Sequence, residues 1–219
     1  MNRKSFDNAI YLIALLSAAV HGKIAPSPNS VVLDWGELLE LAKKHSVANI
    51  LYYPLKDADF NIEPVALAGF REARNKAVNR EAHQELEKEQ IAQILEQRGI
   101  KYMFLKGSII KDLYPRIDMR TMADIDLLIE DGNEASVGDI LLSLGYEHRL
   151  DCELHDSYYK HPVMNIEIHK KMMDASFEGI NNYFGSGFER AELMDGYKYR
   201  YCLSKEDFYI FLIAHTAKH

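Results

Sequence analysis

The chain is poor in cysteine: Cys152 and Cys202 are its whole complement, far apart and in no CxxC pair. That argues against a thiolate-rich zinc site and fits a reducing, cytoplasmic setting. An excess of basic charge is also missing. Lys and Arg number 26 against 33 Asp and Glu, a net charge of −7, so bulk nucleic-acid binding through charge is not expected. A nucleotide held through a metal ion stays compatible with that balance, because the cation supplies the positive charge. The apolar run 9-AIYLIALLSAAV-20 is too short to span a bilayer. Arg3 and Lys4 ahead of it give it the flank of a secretory signal, but Asp7 and Asn8 intervene and no A-x-A site follows. A buried N-terminal helix ending near Gly22 is expected instead, with no membrane partner. Internal repeats and low-complexity tracts are absent.

What is present is an ordinary globular composition, 47% hydrophobic and 27% charged over 219 residues, enough for one large domain or two small ones. Two regions differ in periodicity. Residues 1–99 read as a helical N-terminal region. Asp34 and Glu37 have the spacing of a capping box before 38-LLELAKKHSV-47. Pro64 suits the first turn of a helix, and no further proline interrupts the chain to Arg98. His21, His45 and His83 are expected to be structural or surface residues. Residues 100–219 read as an α/β core. Strands are predicted at 101–105, 124–130, 146–150, 157–161 and 164–171. Helices are predicted at 108–114, 133–145 and roughly 177–194, with a last one at 205–219 started by Ser204 and Asp207. That last helix carries apolar residues almost to His219 without a cap, so the chain is expected to continue beyond it. The fold class expected is α+β.

The chemistry concentrates in 105-LKGSIIKDLYPRIDMRTMADIDLLIE-130. On a strand, Asp124, Asp126 and Leu128 share one face while Ile125, Leu127 and Ile129 share the other. The two carboxylates then lie about 7 Å apart and can reach a common group of metal ions. Magnesium favours such oxygen ligands together with substrate phosphates, and two ions can activate an attacking oxygen and stabilise a leaving one. The same alternation at 165-NIEIH-169 places Glu167 and His169 on one face. If that strand lies beside the first, three carboxylates converge, and their repulsion calls for a cation. Gly107 and Ser108 stand at a strand–helix junction, where glycine allows close backbone approach and the helix start offers N–H groups to a phosphate. Lys106 is a further phosphate contact. Singly, each element has an ordinary explanation as turn, cap or polar strand face; the order of the elements is what points to a site.

That order resembles the nucleotidyltransferase superfamily, with its DNA polymerase β-like fold. The stretches 104-FLKGSIIKDLYP-115, 120-RTMADIDLLI-129, 166-IEIH-169 and 214-AHTAKH-219 are similar to an uncharacterised nucleotidyltransferase subgroup. The resemblance implies a mixed β-sheet with flanking helices, an NTP substrate such as ATP, and a two-ion Mg2+ site on Asp124, Asp126 and Glu167. It further implies that Lys106, Gly107, Ser108 and Arg120 hold the triphosphate. The acceptor hydroxyl is left open between a small molecule, a protein side chain and an RNA end, with RNA least favoured by the net charge. Fifteen residues lie between Ser108 and Asp124, slightly more than the commonest superfamily spacing, and the Pro115–Met119 loop can absorb the excess. Two other readings stay open. One is a non-catalytic nucleotide-binding or toxin–antitoxin-type module on the same fold. The other is a zinc hydrolase using His155, His161 and His169. His215 and His219 stand one helical turn apart, yet Thr216 occupies the position where a zinc protease motif needs Glu.

Overall fold

Asp34 begins the first clearly capped helix. Its carboxylate accepts the Glu37 backbone N–H at 2.9 Å, and the helix that follows is Trp35–Lys44. The helix starts where the capping-box spacing placed it, but the Asp34 N–H that Glu37 would accept in such a box goes to Asn8. The fully buried Asn8 donates its amide to Glu37 at 3.1 Å and accepts the Asp34 N–H at 3.2 Å. One asparagine thus ties the N-terminal helix to the start of the next. In this computed structural model, residues 3–28, 33–151, 155–173 and 177–217 are described, and they divide into two units.

The first unit comprises residues 1–82 and 110–121. It contains α1 (Arg3–Val20), α2 (Trp35–Lys44), α3 (Ala48–Leu55) and the first half of α4 (Pro64–Arg98). Leu15, Leu38, Leu51, Leu55 and Phe70 form its core, each essentially removed from solvent. Burial of this kind stabilises by about 1.5–3 kcal/mol per side chain. Helix α3 is not anticipated in the sequence: it follows α2 after a left-handed turn at Ser46 (φ 56) and carries Pro54 in its last turn. The loop before the site-bearing strand is also anchored in this unit. The Asn49 amide donates to the carbonyls of Asp118 and Met119 at 2.8 and 3.2 Å, fixing the 3-10 turn Ile117–Met119.

The second unit comprises residues 83–109 and 122–219. Its strands are β1 (Tyr102–Phe104), β2 (Ile125–Ile129), β3 (Glu147–Asp151), β4 (His155–Lys160) and β5 (Met164–His169), in the order β1-β2-β5-β4-β3. Strands β2 and β5 are parallel and the other pairs antiparallel. The α+β class with a mixed sheet is therefore as expected. On one face Ile125, Leu127, Ile129, Ile166 and Ile168 pack with Ile91 and Leu95 of α4 and with Val137, Ile140 and Leu141 of the helix α6 (Glu134–Ser143). The short α5 (Gly107–Ile110) precedes it in the chain. On the opposite face Met103, Leu105 and Leu128 pack with Met172, Met173, Phe184 and Phe211.

The helix expected over 177–194 is shorter. It runs Glu178–Phe184 (α7), because Gly185 (φ 60) and Gly187 (φ 97) leave the helical region. A side chain at Gly187 would meet Leu128 at 2.6 Å and Met172 at 2.9 Å, so only glycine passes there. Beyond it β6 (Ala191–Leu193) pairs with β7 (Tyr201–Leu203), a ribbon the sequence pattern did not suggest. The last helix, α8 (Lys205–Ala217), begins as expected: Ser204 Oγ accepts the Asp207 N–H at 3.1 Å. Among the described residues no helix is long and apolar enough to cross a membrane. Cys152 and His219 lie outside the described residues, whereas Cys202 is a free thiol.

Candidate active site

The register of the parallel pair β2–β5 sets Asp126 directly opposite Glu167, with Leu128 opposite His169. Ile125, Leu127, Ile166 and Ile168 all belong to one core face, so strand alternation puts Asp126, Glu167 and His169 on the other. Leu128 on that second face is itself fully buried. The strand therefore has no solvent face. Asp126 is 3% exposed and His169 7%, values reached by buried ionisable groups only when they are paired.

Two further segments supply partners. Leu105 N–H donates to the Asp126 carbonyl at 3.0 Å, which brings the chain after β1 alongside β2. Lys106 then adopts a left-handed conformation (φ 46), and its ammonium lies 2.6 Å from Asp126 Oδ1. The same oxygen accepts a hydrogen bond from His169 Nε2 at 2.8 Å. His169 Nε2 also lies 3.7 Å from Glu167 Oε2. Across the antiparallel β4–β5 ladder, His155 pairs with His169. Its ring lies 5.4 Å from that of His169, and its Nε2 is 3.8 Å from Glu167 Oε1.

The two aspartates respond oppositely to this environment. Burial pushes the Asp126 carboxyl up, but the His169 hydrogen bond and the Lys106 charge outweigh it and hold the group below the ordinary carboxylate range. Asp124 precedes β2 by one residue and is raised, first by burial, then by repulsion from Asp126 and Glu167, with Lys106 opposing. Asp126 and Glu167 stand opposite each other in register, whereas Asp124 lies outside their close group and feels both charges as a smaller effect than its own burial. A divalent cation fits this donor set. Single ligand atoms of Asp126, Glu167 and His169 lie within 4.8 Å of one another; His169 Nε2 is engaged with Asp126, so the carboxylate oxygens are the donors left for a cation, and such hard oxygens suit magnesium or manganese.

The phosphate-side residues are placed less uniformly. Gly107 and Ser108 open α5, a single helical turn continued by the 3-10 turn Lys111–Leu113. A Cβ at Gly107 would meet Met122 Sδ at 2.8 Å, so packing alone accounts for glycine at that position. Ser108 is 4% exposed, and its Oγ has no hydrogen-bond partner among the described residues. Arg120 belongs to the first unit, half-buried, with its Nε unpartnered among the described residues. The three histidines of the zinc reading do not assemble. His155 and His169 are neighbours, while His161 sits past the other end of β4, its ring against Tyr159. His215 packs against Phe211.

Three features escaped sequence reasoning. Lys106 is the ion-pair partner of Asp126, His169 is a donor to it, and His155 is a neighbour of Glu167. The Glu-x-His alternation carried a signal for His169. The Lys106 pairing depends on a left-handed turn, and the His155 position on the antiparallel register. With this geometry in place, comparison with known proteins gives one match: a family described as "uncharacterised nucleotidyltransferase" matches residues 32–219, and the chain belongs to it. No curated protein and no solved structure matches the chain.

Proposed function

We propose that this member of the uncharacterised nucleotidyltransferase family moves a nucleotidyl group from an NTP, ATP being the first to test, onto an acceptor hydroxyl in a Mg2+-dependent reaction. The acceptor oxygen bonds to the α-phosphorus, the α–β phosphoanhydride bond breaks, pyrophosphate leaves, and the hydroxyl proton passes to a base. The observation that carries this reading is the pairing of Asp126 with Glu167 across parallel strands, inside a crowd of carboxylates that exceeds its own positive charge. Family membership supports nucleotidyl transfer in general.

Asp124, Asp126 and Glu167 would hold the metal ions, which supply Lewis-acid polarisation and neutralise phosphate charge. His169 keeps Asp126 oriented through its Nε2–H. Glu167, its side chain 19% exposed, either completes the second ion's ligands or takes the acceptor proton. Lys106, Gly107 and Ser108 would hold the β and γ phosphates. The acceptor is a small molecule or a protein side chain, since a net charge of −7 disfavours bulk nucleic-acid binding.

Incubating the protein with each of the four labelled NTPs, with Mg2+ or Mn2+, tests the proposal. The expected result is self-labelling or pyrophosphate release with at least one NTP. Nucleotide binding without either product would support the non-catalytic reading and contradict this one.

A further inference from the structure

Lys106 already holds one of the carboxylate oxygens that a metal ion on this cluster would use. Its ammonium lies 2.6 Å from Asp126 Oδ1, the oxygen already shared with His169. Two positive groups on one carboxylate oxygen repel each other strongly in a site this buried. A cation taken on Oδ1 would therefore compete with Lys106 for that oxygen. Lysine is suited to release, because its compact charge rides on a flexible stem and makes no fixed fork. The left-handed backbone at Lys106 (φ 46) is unusual for a side-chain-bearing residue and has to be held by its surroundings. The residue also stands immediately before Gly107 and Ser108, the turn assigned to the phosphates.

Building on the proposed metal-dependent reaction, we infer that Lys106 is the site's built-in counter-ion. It neutralises Asp126 in the metal-free protein, gives up the carboxylate when a divalent cation binds, and is thereby delivered to the triphosphate. Metal loading and nucleotide loading become coupled through one side chain. The metal-free site avoids a buried, unpaired carboxylate, and the phosphate-binding charge becomes available only once the cation is in place. By linkage, nucleotide must then tighten metal binding by the same factor that metal tightens nucleotide binding. Replacing Lys106 with Met removes the competitor. Metal alone should bind more tightly, and the mutual enhancement should shrink.

Brief acetylation of the full chain, read by mass spectrometry, tests the release directly. Lys111, buried in its pair with Glu81, serves as the reference for global unfolding. Lys106 should be modified slowly in EDTA and several-fold faster with Mg2+ alone. With Mg2+ and a non-hydrolysable ATP analogue it should be protected again. Calorimetry of Mg2+ on the same protein separates the two claims. If Mg2+ binds and Lys106 labelling does not change, the counter-ion role is wrong while the proposed function stands. If Mg2+ does not bind at all, with or without the analogue, both fall. Lys106→Met, checked for folding by its melting curve, should bind Mg2+ alone about tenfold more tightly than the parent, within the usual range of coupling between sites. Equal or weaker Mg2+ affinity in that variant would overturn the inference independently of the labelling.

Discussion

Asp126 and Asp207 lie in the same unit, 3% and 4% exposed, and both are held below the ordinary carboxylate range. Their surroundings differ in kind. Asp207 accepts Arg190 Nε on one oxygen at 3.0 Å, and on the other a second Arg190 nitrogen at 3.1 Å and the Tyr183 hydroxyl at 2.7 Å. Its depressed value comes first from the Arg190 hydrogen bond. The planar guanidinium satisfies both oxygens at once, and the aspartate stands in the first turn of α8, where its own N–H is capped by Ser204. At Asp126 both donors fall on Oδ1, and among the described residues none falls on Oδ2. One donor is an exchangeable lysine, and two more carboxylates press on the site. A buried aspartate closed by arginine holds the fold together. One held by lysine beside two further carboxylates is the arrangement on which the proposed cation site rests.

The largest expected effect breaks this comparison directly. Asp126→Asn should lower the stability of the metal-free protein by about 1–3 kcal/mol, since it leaves mostly buried donors under-satisfied, and Asp207→Asn should cost less, because Arg190 and Tyr183 are part-exposed and water can replace the lost partner. Only Asp126→Asn should lose the stabilisation by Mg2+ and ATP, about 2.7 kcal/mol at a hundredfold excess over Kd. Melting curves of both variants with and without Mg2+ and ATP read the difference, and an equal ligand-induced rise in the two would erase it.

Next comes Gly107, where packing against Met122 competes with a phosphate role. Gly107→Ala should destabilise by about 1–3 kcal/mol through overpacking, and shortening Met122 to Ala in the same chain should restore most of the loss. If the double variant melts like the parent but binds no Mg2+ and ATP, the glycine serves the phosphate as well. A smaller change follows at Ser108. Its unpartnered hydroxyl means Ser108→Ala should leave the melting temperature near the parent's while weakening Mg2+-dependent ATP binding by about 0.5–1.5 kcal/mol.

The smallest effect is a matter of pH. Asp126 and Asp207 have depressed folded-state values, so their contribution to stability is present above the unfolded carboxylate pKa, about 3.9. It is lost as pH falls through the lower folded values. Asp124 is raised, so its penalty is full above its folded value and disappears below about pH 3.9, where it is protonated in both states. Asp124→Asn should therefore melt slightly higher than the parent at neutral pH, with the gain fading on acidification. A gain that grew as pH fell would contradict the assignment.

Much of this could be read from the amino acids, and the divisions are physical. Asp34 and Ser204 announced their helices through local capping, which depends on only a few residues in sequence. The faces of β2 and β5 followed from strand alternation, but that Asp126 and Glu167 share one surface depended on the two strands being neighbours, which only the topology supplies. Helix α3 and the β6–β7 ribbon were missed because short elements are fixed by tertiary packing, not by periodicity. The repulsion among the three carboxylates was foreseen, yet its resolution was not. Nothing local says that Lys106 turns back onto Asp126, since that contact needs a left-handed residue and a strand register together. For the same reason, nothing local says which carboxyl is raised: it is Asp124, because His169 and Lys106 hold Asp126 low.

The central claim is that the Asp126 cluster binds nucleotide through a divalent cation. Isothermal calorimetry of ATP against the parent protein, once with Mg2+ and once with EDTA, tests it most directly. The account predicts saturable binding with Mg2+ and affinity at least about tenfold weaker in EDTA, a difference of about 1.4 kcal/mol or more. Equal affinity in the two conditions would contradict it.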